Sequence, residues 1–202
     1  MGIFSKIFGK EPIDPPLDIA PTALMMDEET FWELIQTSIE QSGGDQECQI
    51  NILVLELERK KPAEIVGFRL RTDKLLYDTY NSKIWCAGYT MNGGCSDDGF
   101  EYFRLWIISK GRNVFEAAKI DPDSLVTQDE DEIEFYEFEA FWYVALTAFN
   151  NLMGKNLYDY IDHDNFKFGE GNYPQFEFDW SEDDTESRKS LCPRLFERFE
   201  NK

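Results

Sequence analysis

Residues 94–111 read Gly94-Cys95-Ser96-Asp97-Asp98-Gly99-Phe100-Glu101-Tyr102-Phe103-Arg104-Leu105-Trp106-Ile107-Ile108-Ser109-Lys110-Gly111. This order of residue types specifies a helix together with both of its ends. Ser96, Asp97 or Asp98 can accept hydrogen bonds from the free N–H groups of a first turn. Phe100, Phe103, Trp106 and Ile107 recur at helical spacing, and Gly111 closes the run.

The same pattern repeats to either side. Upstream, Asp27 caps a helix carrying Phe31, Ile35 and Ile39 that stops at Gly43-Gly44, and Asp45 opens a second with Ile50, Leu53, Val54 and Leu57 on one stripe. Pro62 opens a third, with Ile65, Phe68, Leu75, Leu76 and Tyr80 as its apolar positions and Gly67 as a local weakness. Ile84, Trp85, Ala87 and Met91 form a short fourth helix that breaks at Asn92-Gly93-Gly94. Downstream, Val114, Phe115 and Ala118 continue to Asp121-Pro122. The acidic run Asp129-Glu130-Asp131-Glu132 reads as an exposed approach to a helix whose stripe is Phe138, Trp142, Ala145, Phe149 and Leu152. Beyond Tyr160, Phe166-Lys167-Phe168 and Phe176-Glu177-Phe178 alternate as strands do, which leaves a small hairpin and an aromatic-pinned loop both open. A last short helix is expected between Leu191 and Phe199.

The fold class is therefore mainly α: a single compact multi-helix domain over residues 26–202 with a short irregular or β-hairpin C-terminal segment. Residues 1–24 read as a flexible leader and a linker rich in proline (Pro12, Pro15, Pro16, Pro21). Ile3, Phe4, Ile7 and Phe8 give the leader one apolar side, so residues 1–10 could touch a membrane surface. No apolar run is long enough for a transmembrane segment.

Charge excludes more than it identifies. With 20 Lys/Arg against 40 Asp/Glu the formal net charge is −20, which disfavours an unaided grip on nucleic acid or anionic lipid and favours a basic protein or a cation. The acidity is uneven: residues 1–120 hold 13 basic and 19 acidic side chains, residues 121–202 hold 7 and 21. A local basic set, Arg59, Lys60, Lys61, Arg69, Arg71 and Lys74, is too small against this background to argue for nucleic acid. Cys48, Cys86, Cys95 and Cys192 stand at wide, irregular spacings that suggest neither a disulfide framework nor structural zinc, so a reducing, cytoplasmic compartment is expected.

The chemistry-bearing candidates are Cys95, Ser96, Asp97, Asp98, Arg104, Asp121 and Asp123. As nucleophiles, Cys95 or Ser96 need a base, and the only histidine, His163, lies in a polar loop with no evident orienter. As oxygen ligands, Asp97, Asp98, Asp121 and Asp123 match no EF-hand spacing. As architecture, the aspartates cap a helix start while Gly94 and Gly99 permit a tight turn. Arg104, among aromatic neighbours, should be half-buried and paired with one of these aspartates, or free to bind a phosphate or carboxylate ligand. Trp85 and Trp106 read as core.

Together with Phe31-Trp32, Ile84-Trp85-Cys86-Ala87 and Asp121-Pro122-Asp123-Ser124-Leu125, the 94–111 stretch resembles the bacterial domain of unknown function 4240 family over about residues 26–125. The glycine turn, paired aspartates, aromatic-Arg-x-Trp helix and Pro-Asp-Ser segment occur in the family's order, and Pro193-Arg194-Leu195 is a weaker echo. That family has no settled activity, so the resemblance implies a helical fold and a bacterial, cytosolic setting. No catalytic set and no cofactor are legible. The expected function is a non-catalytic interaction module, immunity-like or regulatory, binding a basic partner. The alternative is a domain or enzyme that binds a divalent cation or phosphate ligand through Asp97, Asp98, Arg104 and Asp121.

Overall fold

In the computed structural model the described residues are 19–130, 133–169 and 171–200. The leader 1–10, most of the proline-rich linker, and Asp131-Glu132 of the acidic run lie outside them. The elements in chain order are α1 (Glu28–Ser42), α2 (Gln46–Glu58), α3 (Pro62–Asp78), α4 (Ser82–Asn92), α5 (Asp97–Ser109) and α6 (Arg112–Ile120). Three-ten turns follow at Pro122–Gln128 and Glu139–Tyr143, then α7 (Val144–Met153), a third such turn at Leu157–Tyr160, α8 (Thr185–Leu191) and α9 (Pro193–Phe199). The architecture is mainly α in one domain.

Local chemistry sets the helix starts. The carboxylates of Asp27 and Asp45 accept from Thr30 N and Cys48 N, Asn81 from Ile84 N, and the Ser96 hydroxyl from Gly99 N. Gly43, Gly93 and Gly154 end α1, α4 and α7 in the left-handed conformation that glycine adopts without penalty. Helix α5 is buried on every face from Phe103 to Ser109, so it is the central helix and not an amphipathic surface one. Helix α3 packs against α1, α5 and α7, while α2 packs on α1 and α7. The smaller α8 and α9 cover α4.

The structure departs from the sequence expectations at definable places. The 138–152 stripe is not one helix: a three-ten turn precedes α7, Phe138, Ala145 and Phe149 are buried, Trp142 is half-buried, and Leu152 is exposed. The Pro122–Gln128 turn and helix α8 were not expected. Beyond Tyr160 the described residues contain no strand. Of the two open readings, the aromatic-pinned loop is the one observed: Tyr173 stacks on Tyr80 at 4.3 Å, Phe168 meets Tyr77 edge-on at 5.2 Å, and Phe176 meets Tyr80 at 5.4 Å.

The segment before α1 is tied down at two points. Thr22 exchanges backbone hydrogen bonds with the 160–162 segment (Thr22 N to Tyr160 O, 3.0 Å; Asp162 N to Thr22 O, 3.0 Å), and Met26 N donates to Gly67 O at 2.8 Å. The second contact explains the glycine inside α3. A Cβ at position 67 would stand 2.8 Å from Met26 N and 3.0 Å from Leu24 O, both backbone atoms that have no rotamer to move away. Gly67→Ala is therefore expected to destabilise the fold by about 1–3 kcal/mol, although alanine is the better helix former by roughly 1 kcal/mol. Urea unfolding should show a lowered midpoint with an unchanged slope.

Candidate functional site: an acidic face at the start of the central helix

Helix α5 projects its first turn into solvent with Asp97 and Asp98 exposed beside the Ser96 cap. The 133–138 segment runs past this turn and is pinned by Tyr136 N to Asn92 Oδ1 (2.8 Å) and Phe138 N to Tyr102 O (3.0 Å). This path brings Glu137 against Gly99, where a Cβ would lie 3.1 Å from the Glu137 carboxylate. The glycine is thus the residue that admits the carboxylate. Glu139 follows in the next turn, so carboxylates from two distant parts of the chain share one surface.

Their fields register on the neighbouring groups. Burial and then the negative charge of Glu139 hold the Glu137 carboxyl above its ordinary range. Burial, followed by Glu137, pushes the Cys95 thiol up to about 12, which keeps it a neutral thiol and removes it as a nucleophile at neutral pH. The Tyr102 hydroxyl is raised by burial and then by Glu139 and Asp98. Among the described residues Asp97, Asp98, Glu137 and Glu139 have no ion-pair partner. Phe135 and Tyr143, 53% and 49% exposed, flank the acidic segment along the chain.

The other residues singled out in the sequence lie elsewhere. Arg104 is fully buried, not half-buried, and it meets none of the aspartates proposed for it. Its Nε donates to Phe100 O (3.2 Å) and Nη1 to Leu76 O (2.7 Å), and its guanidinium lies 4.4–5.0 Å from the ring centroids of Phe100, Tyr80 and Tyr173. Burial pulls its pKa down, against the pull of Tyr173, which also hydrogen-bonds to it. A group so enclosed does not present itself to a phosphate or carboxylate ligand.

Asp121 and Asp123 belong to a third place. The buried Asp123 accepts from Arg194 N (3.1 Å), Arg194 Nε (2.8 Å) and Leu195 N (2.8 Å), so it caps α9 from a distant segment. Asp121 accepts from Arg194 Nη2 at 2.9 Å. The seven candidates therefore do not converge: Cys95 to Asp98 form the acidic turn, Arg104 a buried strut, and Asp121 with Asp123 a clasp for the C-terminal helix. Among the described residues no group of three or more His, Cys, Asp and Glu side chains is placed to hold a metal ion.

Sequence reasoning also missed a cavity of about 380 Å³ whose lining includes Arg69, Asp73, Trp142, Tyr158 and His163. From sequence, Arg69 is only one of a local basic set. It is buried, pairs with Asp73 at 2.9 Å, stacks its guanidinium 3.3 Å from the Trp142 ring centroid and donates to Trp142 O at 3.3 Å. Arg71, Lys74 and Arg59 are likewise consumed by Glu28, Asp78 and Glu56. The i, i+4 spacing of Arg69 and Asp73 was the available signal. His163 faces the Tyr158 carbonyl at 3.3 Å and is no base for Cys95 or Ser96. Burial raises the Asp73 carboxyl despite Arg69, and Arg69 links α3 to Trp142 through its carbonyl and ring.

Residues 26–151 match the family model described as protein of unknown function (DUF4240). No curated protein and no solved structure matches the chain. Among the described residues no helix is long and apolar enough to cross a membrane.

Two outcomes separate the roles of these carboxylates. Asp123→Asn is expected to cost about 1–3 kcal/mol in chemical denaturation, because a buried acceptor of three N–H groups is replaced by one that also presents donors. Asp97→Asn should stay within about 0.5 kcal/mol. For Glu137, a raised carboxyl pKa means that ionisation costs stability above it. That cost vanishes below the ordinary glutamate value of about 4.3. Glu137→Gln should therefore raise Tm at pH 7, and the two proteins should converge below about pH 4.

Proposed function

We propose, for a chain that belongs to the family described as protein of unknown function (DUF4240), a non-catalytic role as an interaction module that docks a basic protein on the acidic face around Asp97, Asp98, Glu137 and Glu139. The observation that carries this reading is the gathering of four carboxylates from two distant segments on one surface, where they close no ion pair among the described residues and where Glu137 and Glu139 act on Cys95 and Tyr102 beside Asp97 and Asp98.

Like charges gathered on one surface repel, and the charge of Glu139 adds to the burial that raises the Glu137 carboxyl. A partner's cations would relieve that repulsion and gain steering from it. Phe135 and Tyr143 supply the large, partly apolar contacts that anchor such an interface. The immunity-like or regulatory setting fits a protein whose action is occupation of another's basic surface, and the spacing of the cysteines favours the cytoplasm.

The test places a photo-crosslinking amino acid at position 135 or 143, with position 120 as an exposed control. The expected result is capture of the same basic protein from 135 and 143 and not from 120. With that protein purified, the triple variant Asp97→Asn, Asp98→Asn, Glu139→Gln should bind at least about tenfold more weakly, and wild-type affinity should fall as salt rises. Capture from 120 alone, or affinity indifferent to both salt and the triple variant, would overturn the reading.

A further inference from the structure

Two cysteines far apart in the chain meet inside the fold. Cys86 lies in the middle of α4 and Cys192 at the joint between α8 and α9, and both are fully buried. The Cys192 thiol donates a hydrogen bond to the Cys86 sulfur. Cys48, by contrast, is exposed at the start of α2, and Cys95 stands beside the acidic turn.

The contact is built from fixed parts. Helices α8 and α9 both pack on α4. Cys192 N donates to Arg188 O at 3.0 Å and Phe196 N donates to Cys192 O at 2.8 Å, so helical hydrogen bonds hold the Cys192 backbone on both sides. On α4 the Thr90 hydroxyl donates to Cys86 O at 2.8 Å. The neighbouring Trp85, expected from sequence in the core, is only half-buried with Phe100 behind it at 4.2 Å, whereas Cys86 faces fully inward. A disulfide needs its sulfurs about 2.05 Å apart. Thiols already in hydrogen-bond contact come to that distance by side-chain rotation, with every helix keeping its neighbours.

The two thiols are also unequal, as a nucleophile and its resolving partner are. The hydrogen bond from Cys192 holds the Cys86 thiol below its ordinary range despite burial, and the Thr90 side chain and the charge of Arg188 add to it. The same hydrogen bond, then burial, push Cys192 up, and Asp123 and Asp121 act in the same direction. Arg188 is itself held in place by Glu200 and by the carbonyls of Ser181 and Glu182. The thiolate therefore forms at Cys86 while the proton stays on Cys192.

We propose that Cys86 and Cys192 are a modification site, a dithiol that a hydroperoxide converts reversibly into a disulfide stapling α4 to the joint between α8 and α9. In the first step the Cys86 thiolate attacks a peroxide oxygen and the O–O bond breaks. Cys86 becomes a sulfenic acid, and the departing oxygen takes up the proton that the Cys86 thiol had released. In the second, the Cys192 sulfur attacks the Cys86 sulfur, the S–O bond breaks, and the Cys192 proton leaves with the hydroxyl as water. Two electrons pass from the sulfurs to the peroxide, and a small thiol reverses the change by exchange. In a reducing compartment such a bond is a transient, sensing one. Because both sulfurs are buried, the reaction waits for α8 and α9 to lift from α4.

The experiment exposes the reduced, intact chain to hydrogen peroxide, caps the remaining thiols with iodoacetamide and maps the peptides without reduction. The expected product is a Cys86–Cys192 link, distinguished from one at Cys95 by fragment sequencing and removed by dithiothreitol. In the oxidised protein, amide exchange at Leu195 and Phe196 should slow at least about tenfold. Leu195→Ala, which removes a buried contact of α9 without changing charge, should speed link formation at least about fivefold. Iodoacetamide capping of the exposed Cys48 should keep its wild-type rate. If that variant loses the wild-type circular dichroism, the milder Leu195→Val takes its place.

A reducible Cys86–Cys192 link that forms faster when α9 is loosened supports the proposal. Overturning results are Cys86 and Cys192 still free once Cys48 is fully oxidised, oxidation of either without a link between them, or a rate indifferent to the Leu195 substitution. No arm uses a protein partner, so failure here leaves the docking reading standing, and failure of that reading leaves this one.

Discussion

A buried guanidinium hydrogen-bonded to peptide carbonyls and framed by aromatic rings organises this molecule. Arg104 lies inside the central helix α5, and its charge is met by peptide carbonyls and ring faces. One of those carbonyls, Leu76 O, belongs to the last turn of α3, where the unpaired carbonyls of a helix end carry partial negative charge. The arrangement ties the end of α3 to α5 and draws Tyr173 over the top, so that the irregular C-terminal loop is held by stacking instead of by a sheet. The cost of burying a charge is high unless every donor is used. Such a strut therefore tolerates little rearrangement around it.

What could be read in advance follows from the range of the interactions involved. Caps and stops act within four residues, and Asp27, Asp45, Ser96, Gly43 and Gly93 all announced themselves. The resemblance carried the family, and the helical periods carried the fold class. The candidate site was legible only in part. Asp97 and Asp98 stand at a helix start as read, but the cap is the Ser96 hydroxyl and not either aspartate, and Glu137 and Glu139 reach that surface through backbone contacts with Asn92 and Tyr102 that no local pattern encodes. Arg104 was assigned an aspartate because side-chain types suggest ion pairs, whereas its acceptors are main-chain oxygens that every residue has. Asp123 found its partner 71 residues away in Arg194, a distance over which composition says nothing.

Charge in this protein is sorted by place more than by amount. The net value of −20 would suit a uniformly solvated surface. Instead, arginines serve as braces: the buried Arg69 between Asp73 and Trp142, the buried Arg188 between Glu200 and the Glu182 carbonyl, and at the surface Arg194 between Asp121 and Asp123. The carboxylates at the start of α5 have no such brace among the described residues.

The clasp formed by Asp123 bears on the order in which the molecule assembles. Helix α9 has seven residues, well under the roughly 12–15 at which a helix in water begins to hold itself together. The acceptor for its first N–H groups sits at the start of the Pro122–Gln128 turn, on a surface that must already exist. The body is thus the template and α9 the piece moulded onto it. Run in reverse, the same dependence makes that end the seam along which the fold begins to open, with α4 and its buried Cys86 the first interior uncovered.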